Sequence, residues 1–591
     1  HADTLEVSGK DSSIKAENKT GGKGAGLLAN VNLQGHTLTL KEGGNITSST
    51  TGQNNAGTIS ITASDYINIA GGGSGIFSTS GGEPPPTAIV AGKAGEIILG
   101  QKNATVPTLT ITAGGKITTS SFQNSTGEGG NITVYANDLS LDNANILAES
   151  QGAGKGDTGK TAGNVTIEAK NSFDLKNGAT VSAKNEGTGK AGSVTISSRT
   201  LQVNGSEINT QQLSQGEGGK VKITTTDEIK VDKGSITATV NNRLQENLPA
   251  ADIEITAPRL TLTSGKVESS TTGTSNAGKI AITASQYLEL SGADSSILSK
   301  SSGEGTAGNI EITAGGTGEG TKFDSETLNT KGTISYFTAS PAVEKHGIIL
   351  GENGKINTDT TGTMANAGNG GDITVTTSKL TLQKGAEISA NETGAANKAG
   401  SIVIGTDELT MLKGSKISTT AQGAKEGGGN ILIGVNHVPI ANGSIPKISG
   451  EITASVTGGT GKGGNVEITS NNNKSYSEGG LLFVLDNGEI TAKADKDTGG
   501  NIKNGVPKYF FKSGNSEVSA SSRAGIDGIV KTEATQVDMG AVSRLPGEPM
   551  DVSKLIKDCA RKTQKEWSLR HGIRGSSEPN QENNQKEGCK R

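Results

Sequence analysis

Apolar residues along this chain recur two apart in short runs, and the runs come in threes. From Gly371 the sequence places Ile373 and Val375 in one run, Leu380 and Leu382 in a second, and Ile388 and Ala390 in a third, with polar residues between them. Alternation of period two marks a strand with one buried face, because successive side chains on an extended backbone point to opposite sides. Between the runs stand Gly, Asn, Asp, Ser and Lys, which supply turns and tolerate positive φ. Three strands of about four to six residues exhaust such a copy and leave no room for a helix.

The unit repeats. GNVTIEAKNSFDLKNGATVSAKNEGTGKAG from Gly163 is followed by GSVTISSRTLQVNGSEINT from Gly192, GKVKITTTDEIKVDKGSITAT from Gly219 and GKIAITASQYLELSGADSSILSK from Gly278. Further copies start at Gly26, Gly57, Gly95, Gly130, Gly308, Gly371, Gly400, Gly429, Gly464 and Gly500, and Ala251 stands at the glycine position of its copy. Most spacings fall between 27 and 38 residues, while the step from Gly308 to Gly371 is 63 and reads as two copies with a degenerate join. A period in this range signals a solenoid. Three strands without a helix exclude leucine-rich and helical repeats, and a propeller blade of ~40–45 residues is too long.

The expected fold is therefore all-β: a right-handed parallel β-helix of three-strand coils, roughly 16 of them, stacked ~4.8 Å apart into a rod of about 75–80 Å. Inward Ile, Val and Leu then form columns. The asparagines that follow the anchor glycine, Asn131, Asn164, Asn309, Asn430, Asn465 and Asn501, are placed to stack as a ladder along one turn.

Four stretches break the period and are expected to leave the rod as loops: 71–92, with Pro84-Pro85-Pro86, then 241–249, 315–347 and 471–480. The opening DTLEVSGKDSSIKAENKTGGKGAG matches the second and third strands of a copy without its first. A start in mid-coil is expected from it, with an open edge that upstream coils or another subunit would cover. The solenoid is assigned to residues 1–540, and 541–591 to a C-terminal non-repeat segment. In that segment Pro546 and Pro549 mark a linker, and a helix opens at Asp551 with Leu555, Ile556 and Cys559 on one face. From Asp551 onward, ten Lys or Arg face six Asp or Glu in a mildly basic tail.

Composition narrows the picture. The chain of 591 residues holds 88 Gly, 3% aromatic and 31% apolar residues, which suits one thin continuous core of small aliphatics better than several bulky ones. A net charge of −4 argues against nucleic acid as a partner, since that calls for a concentrated basic face. No apolar run approaches the ~20 residues that cross a bilayer as a helix. Cys559 and Cys589 are the only cysteines and are candidates for an intrachain disulfide, with free or intermolecular thiols as the alternatives.

Candidate chemistry does not converge. Sugar-cleaving β-helices gather carboxylates or Arg on one face, usually with aromatic rings. Here the one tryptophan is Trp567 in the tail, and His1, His36, His346, His437 and His571 are scattered. Asp227-Glu228 and Asp407-Glu408 recur at one repeat position, before the second strand, as residues of a solvated corner do. No Cys/His spacing fits zinc, and the glycine-rich run at Gly71 lacks the Asp of a calcium-binding nonapeptide. No catalytic residue, metal or cofactor is assigned, and the chain is expected not to be an enzyme. The alternative reading is a β-helical carbohydrate-binding or carbohydrate-active protein.

The recurring frame GNITIxAxxLxLxNGAxIxAxTxGxGxAGN, present here as GNVTIEAKNSFDLKNGATVSAKNEGTGKAGS, resembles the filamentous haemagglutinin-like exoproteins of cyanobacteria that use two-partner secretion. The tail DVSKLIKDCARKTQKEWSLRHGIRGSSEP is similar to the end of those proteins, with His571-Gly572-Ile573-Arg574-Gly575 a looser form of their turn. The resemblance implies export through an outer-membrane β-barrel transporter. It also implies an extracellular role in adhesion, aggregation or a fibrous coat, toward a host surface or polysaccharide or through head-to-tail self-association.

Overall fold

A computed structural model describes residues 2–18, 29–81, 92–122, 127–151, 161–214, 216–241, 250–315, 347–362, 368–393, 398–435, 447–470, 482–504, 509–532 and 535–538. Every helix or strand among them is a β-strand. The chain divides into His1–Gly540 and Ala541–Arg591. The expected helix, Cys559, Cys589 and the tail fall in the second part, outside the described residues.

One coil shows how the sequence closes on itself. Val165–Lys176 runs through the expected first and second strands, and Thr180–Asn185 is the third. Val165 pairs in parallel with Ile132 of the coil before and Val194 of the coil after, and Thr180 pairs likewise with Asn145 and Glu207. Repeated along the chain, these ladders build a 23-stranded sheet from the first and second strands and a 16-stranded sheet from the third. The protein is a parallel β-solenoid.

Three separate strands per coil were expected, whereas the first two are continuous in most coils. Val165–Lys176 bends where its register on Val194–Asn204 shifts between Ala169 and Ser172. A bulge there turns the corner without leaving the ladder. Where residues are inserted at this corner the strand divides, as into Ile97–Leu99 and Val106–Thr112.

The core follows the alternation. Val165, Ile167, Phe173, Leu175, Val181 and Ala183 point inward and are buried, and Val194, Val221, Ile253 and Ile280 continue the column above which Val165 stands. In the later coils Phe483 pairs with Phe510, ring centroids 5.4 Å apart. The third strand also turns hydroxyls inward: Thr119, Ser269, Ser299, Thr358 and Thr419 donate to the carbonyls of Gly130, Ala251, Gly278, Gly371 and Gly429. A buried hydroxyl with a partner costs little, so a 31% apolar chain can fill this interior.

Several boundaries differ from the sequence reading. The loop expected over 71–92 is shorter, because Gly75–Ser80 is a third strand between Asn45–Thr50 and Lys116–Ser121; only 82–91 lie outside the described residues. The step from Gly308 to Gly371 is one coil and not two. Ile310 pairs directly with Ile373 and Ala314 with Thr377, while Gly347–Leu350, which begins on the last residue of the loop expected over 315–347, is the second strand of that coil. The copy assigned to Gly26 is anchored by Ala29, whose carbonyl sits against Gly57. Residues 242–249 and 471–480 of the other expected loops lie outside the described residues. So do 436–446, between Ile431–Val435 and Lys447–Ile448, a position the sequence reading had not marked as a loop.

Candidate functional site: the corners of the coil

The corner that closes each coil, from third strand to next first strand, is a column of glycines. A Cβ on Gly163 would lie 1.7 Å from the carbonyl oxygen of Gly130, and one on Gly192 would lie 1.9 Å from that of Gly163. The same holds for Gly429 on Gly400 at 1.8 Å and Gly500 on Gly464 at 1.9 Å. Backbone rests on backbone, so space favours glycine at the anchor, although Ala251 fills the same place in its coil.

Beside that column runs the expected ladder. Asn164 N–H donates to Asn131 Oδ1 at 2.9 Å, Ser193 N–H to Asn164 Oδ1 at 2.9 Å, Asn465 N–H to Asn430 Oδ1 at 2.9 Å and Asn501 N–H to Asn465 Oδ1 at 2.9 Å. Contacts between amides are longer, 3.4 Å from Asn164 Nδ2 to Asn131 Oδ1. The working element is therefore a side-chain oxygen that accepts the backbone N–H one coil on. Asp252 and Asp372 do the same for Lys279 and Ser401, each at 2.8 Å, and Asn309 reaches Asp372 N–H at 2.9 Å. The sequence reading singled out Asn alone. The fuller signal was any short acceptor after the glycine.

At the corner between first and second strands, Asp227 lies between two arginines from neighbouring coils. Arg199 Nη1 is 3.4 Å from its Oδ2, and Arg259 Nη2 contacts its Oδ1. Glu228 pairs with Lys230 at 2.8 Å, and Glu408 with Lys379 at 3.0 Å. The recurrent acidic corner thus holds inter-coil and local ion pairs at the surface, where each contributes little.

The corner between second and third strands forms a shallow groove. Two-residue turns, 205–206, 233–234 and 264–265, lie between longer ones at 177–179 and 292–295, and the difference leaves a groove of about 470 Å³. Its floor is Gly178, Gly205 and Gly234 with the buried Ser206, whose Oγ donates to Asn204 O at 2.9 Å and accepts from Ala179 N–H at 3.2 Å. Glu207, Lys233, Lys266 and Asp294 border it. Glu207 Oε1 accepts from Thr237 Oγ1 at 3.3 Å, and Lys266 pairs with Glu268. Burial, and then the charge of Lys300, hold the Lys266 ammonium below its usual pKa. The groove offers donors and acceptors of both charges over an open backbone floor, which suits a polar, hydroxyl-bearing ligand.

Of the five histidines only His36 is among the described residues. Among the described residues, no group of three or more His, Cys, Asp or Glu is placed to hold a metal, and no helix is long and apolar enough to cross a membrane. No protein-family model, no curated protein and no solved structure matches this chain.

Proposed function

We propose that this chain is the rod of a secreted structural surface protein, an adhesin stalk or a subunit of an extracellular fibre, and that its role is mechanical and not catalytic. The observation that carries the reading is the continuity of the ladder. From Ala2–Ser8 to Thr535–Asp538 each described coil is paired to the next in register, even where residues 316–346 are inserted and Ile310 still meets Ile373. A stack in which each coil is held by its neighbours keeps its length under load and presents insertions at its edges. The resemblance to filamentous haemagglutinin-like exoproteins supports the same reading. It brings with it export through an outer-membrane β-barrel transporter, placement outside the cell and, for the fibre form, head-to-tail association.

Electron microscopy of the purified full chain tests this. Separate rods, with about 70–75 Å of solenoid at the ~4.8 Å spacing of strands, are expected for a stalk, and long uniform filaments for a fibre subunit. Rounded particles without a long axis would sink both.

The groove between second and third strands favours a second reading, in which the rod also binds carbohydrate. Its bordering Lys233, Asp294 and Glu207 suit sugar hydroxyls. A glycan array should give hits that weaken in Lys233→Ala and Asp294→Ala; binding unchanged in both variants would remove the groove from the account.

A further inference from the structure

The third strand changes character at one coil. Ser296–Ser301 holds six residues, whereas Lys355–Asn357 holds three, as do Glu387–Ser389 and Lys416–Ser418 after it. Beyond Asn357 the ladder continues as single bridges, from Ser301 to Thr360, from Thr360 to Glu392 and from Glu392 to Ala421.

Asp359 sits at that break, on the outward side. Asn357 Nδ2 donates to its Oδ2 at 3.3 Å, and Ser389 Oγ donates to its Oδ1 at 3.3 Å. Although both donors are on the outward side, Asn357 is 6% exposed and Ser389 fully buried, so the carboxyl is held in a recess. Lys300 faces it from the strand before and Glu387 from the strand after, with Lys355 on its own strand and Glu392 fully buried on the inner side. Burial first, then the negative charge of Glu387, raise its pKa to about 6, against the opposing pull of the Asn391 N–H, the Ser389 hydroxyl and Lys300.

We infer that Asp359 is a pH-sensitive latch on the short-strand half of the solenoid: with its proton it lets 358–360 close on 390–392, and without it that stretch loosens. The only chemistry is a proton exchanged between the carboxyl and water. In an open, solvated segment the carboxyl titrates near 3.9. Below that pH both forms are protonated and closure is at its strongest. As pH rises from about 4 to about 6 the open form ionises while the closed form resists, so closure weakens; above about 6 the loss is complete. A difference of about two pH units corresponds to roughly 100-fold in the local closing equilibrium.

Hydrogen exchange of the full chain at pH 4.5 and pH 7.5, corrected for the intrinsic rate of exchange, reads this directly. Peptides over 355–362 and 387–393 should be less protected at pH 7.5 by about 25-fold, part of the loss having already taken place at pH 4.5, while Thr180–Asn185 should not change. In Asp359→Asn the two pH values should give equal protection, and in Glu387→Gln the midpoint should move to lower pH. An unchanged wild type, a control strand that moves equally, or an Asp359→Asn protein that keeps the dependence would each overturn the latch. The wild-type titration stands by itself if a variant folds poorly.

Discussion

At the corner that closes each coil, a Cβ on Gly163 would strike the Gly130 carbonyl at 1.7 Å; at the corner between second and third strands of the same coil, a Cβ on Gly178 would meet nothing within 4 Å. The first glycine has neighbours and no unusual torsion, and the second has open space and a φ of 79°. One corner is fixed by the coil before it, and the other by the conformation of its own backbone. Their lengths follow. The conformational turn holds two or three residues after Lys176, Asn204, Asp232 and Thr263, because positive φ at a set position defines it. The stacked corner needs only its glycine in place, so the segment before it runs from Asn185 to Val194 in one coil and from Val240 to Ile253 in another.

The largest break in this comparison is expected from Gly163→Ala. The added methyl must push apart coils that touch backbone to backbone, and overpacking of this kind costs up to about 3 kcal/mol. Alanine already occupies this column at Ala251, in register between Gly219 and Gly278, so Gly163→Ala measures how far the coils around a glycine can give. Hydrogen exchange should show Ile132–Asp142, Val165–Lys176 and Val194–Asn204 losing protection together. If only the substituted coil responds, the coils are not interlocked at this corner.

What could be read from the sequence was the part carried by aliphatic alternation. Ile373, Val375, Leu380, Leu382, Ile388 and Ala390 were placed inward from the pattern alone, and all are fully buried. The pattern failed where inward positions are small and polar. Ile76, Ser78 and Ser80 of GIFSTS are as buried as any isoleucine, and Ser80 finds the carbonyl of Gly92, but a run rich in Gly and Ser looks like a loop. The step of 63 residues from Gly308 to Gly371, about twice the usual spacing, made one coil look like two. The glycine column was visible as a repeat anchor, yet its cause was not, since close approach and positive φ call for the same residue. The groove had no signal at all, because it arises from differences of one or two residues in turn length between adjacent coils.

A smaller effect is expected beside the column. Asn164→Ala removes the acceptor of Ser193 N–H, a bond of 2.9 Å, at about 1 kcal/mol. Asn164→Asp should recover most of that loss, because Asp252 and Asp372 fill the same place elsewhere. Urea unfolding monitored on this region separates the two. An Asp variant as weak as the Ala variant would mean that amide stacking, and not the acceptor oxygen, holds the ladder.

An effect of similar size, but confined to a single turn, belongs to the other corner. Gly205 has a φ of 54°, and a Cβ there would meet nothing within 4 Å. Nearby coils already place side chains in this conformation: Asn177 at 56°, Lys233 at 50° and Ser264 at 48°. Gly205→Ala should therefore cost only the left-handed backbone, about 1 kcal/mol, and Gly205→Asn less than that, since asparagine tolerates this region. Both variants should keep the neighbouring strands protected in hydrogen exchange, unlike Gly163→Ala. Were Gly205→Ala to unzip adjoining coils as well, this corner too would be held by stacking, and the distinction between a glycine needed for space and one needed for conformation would fail.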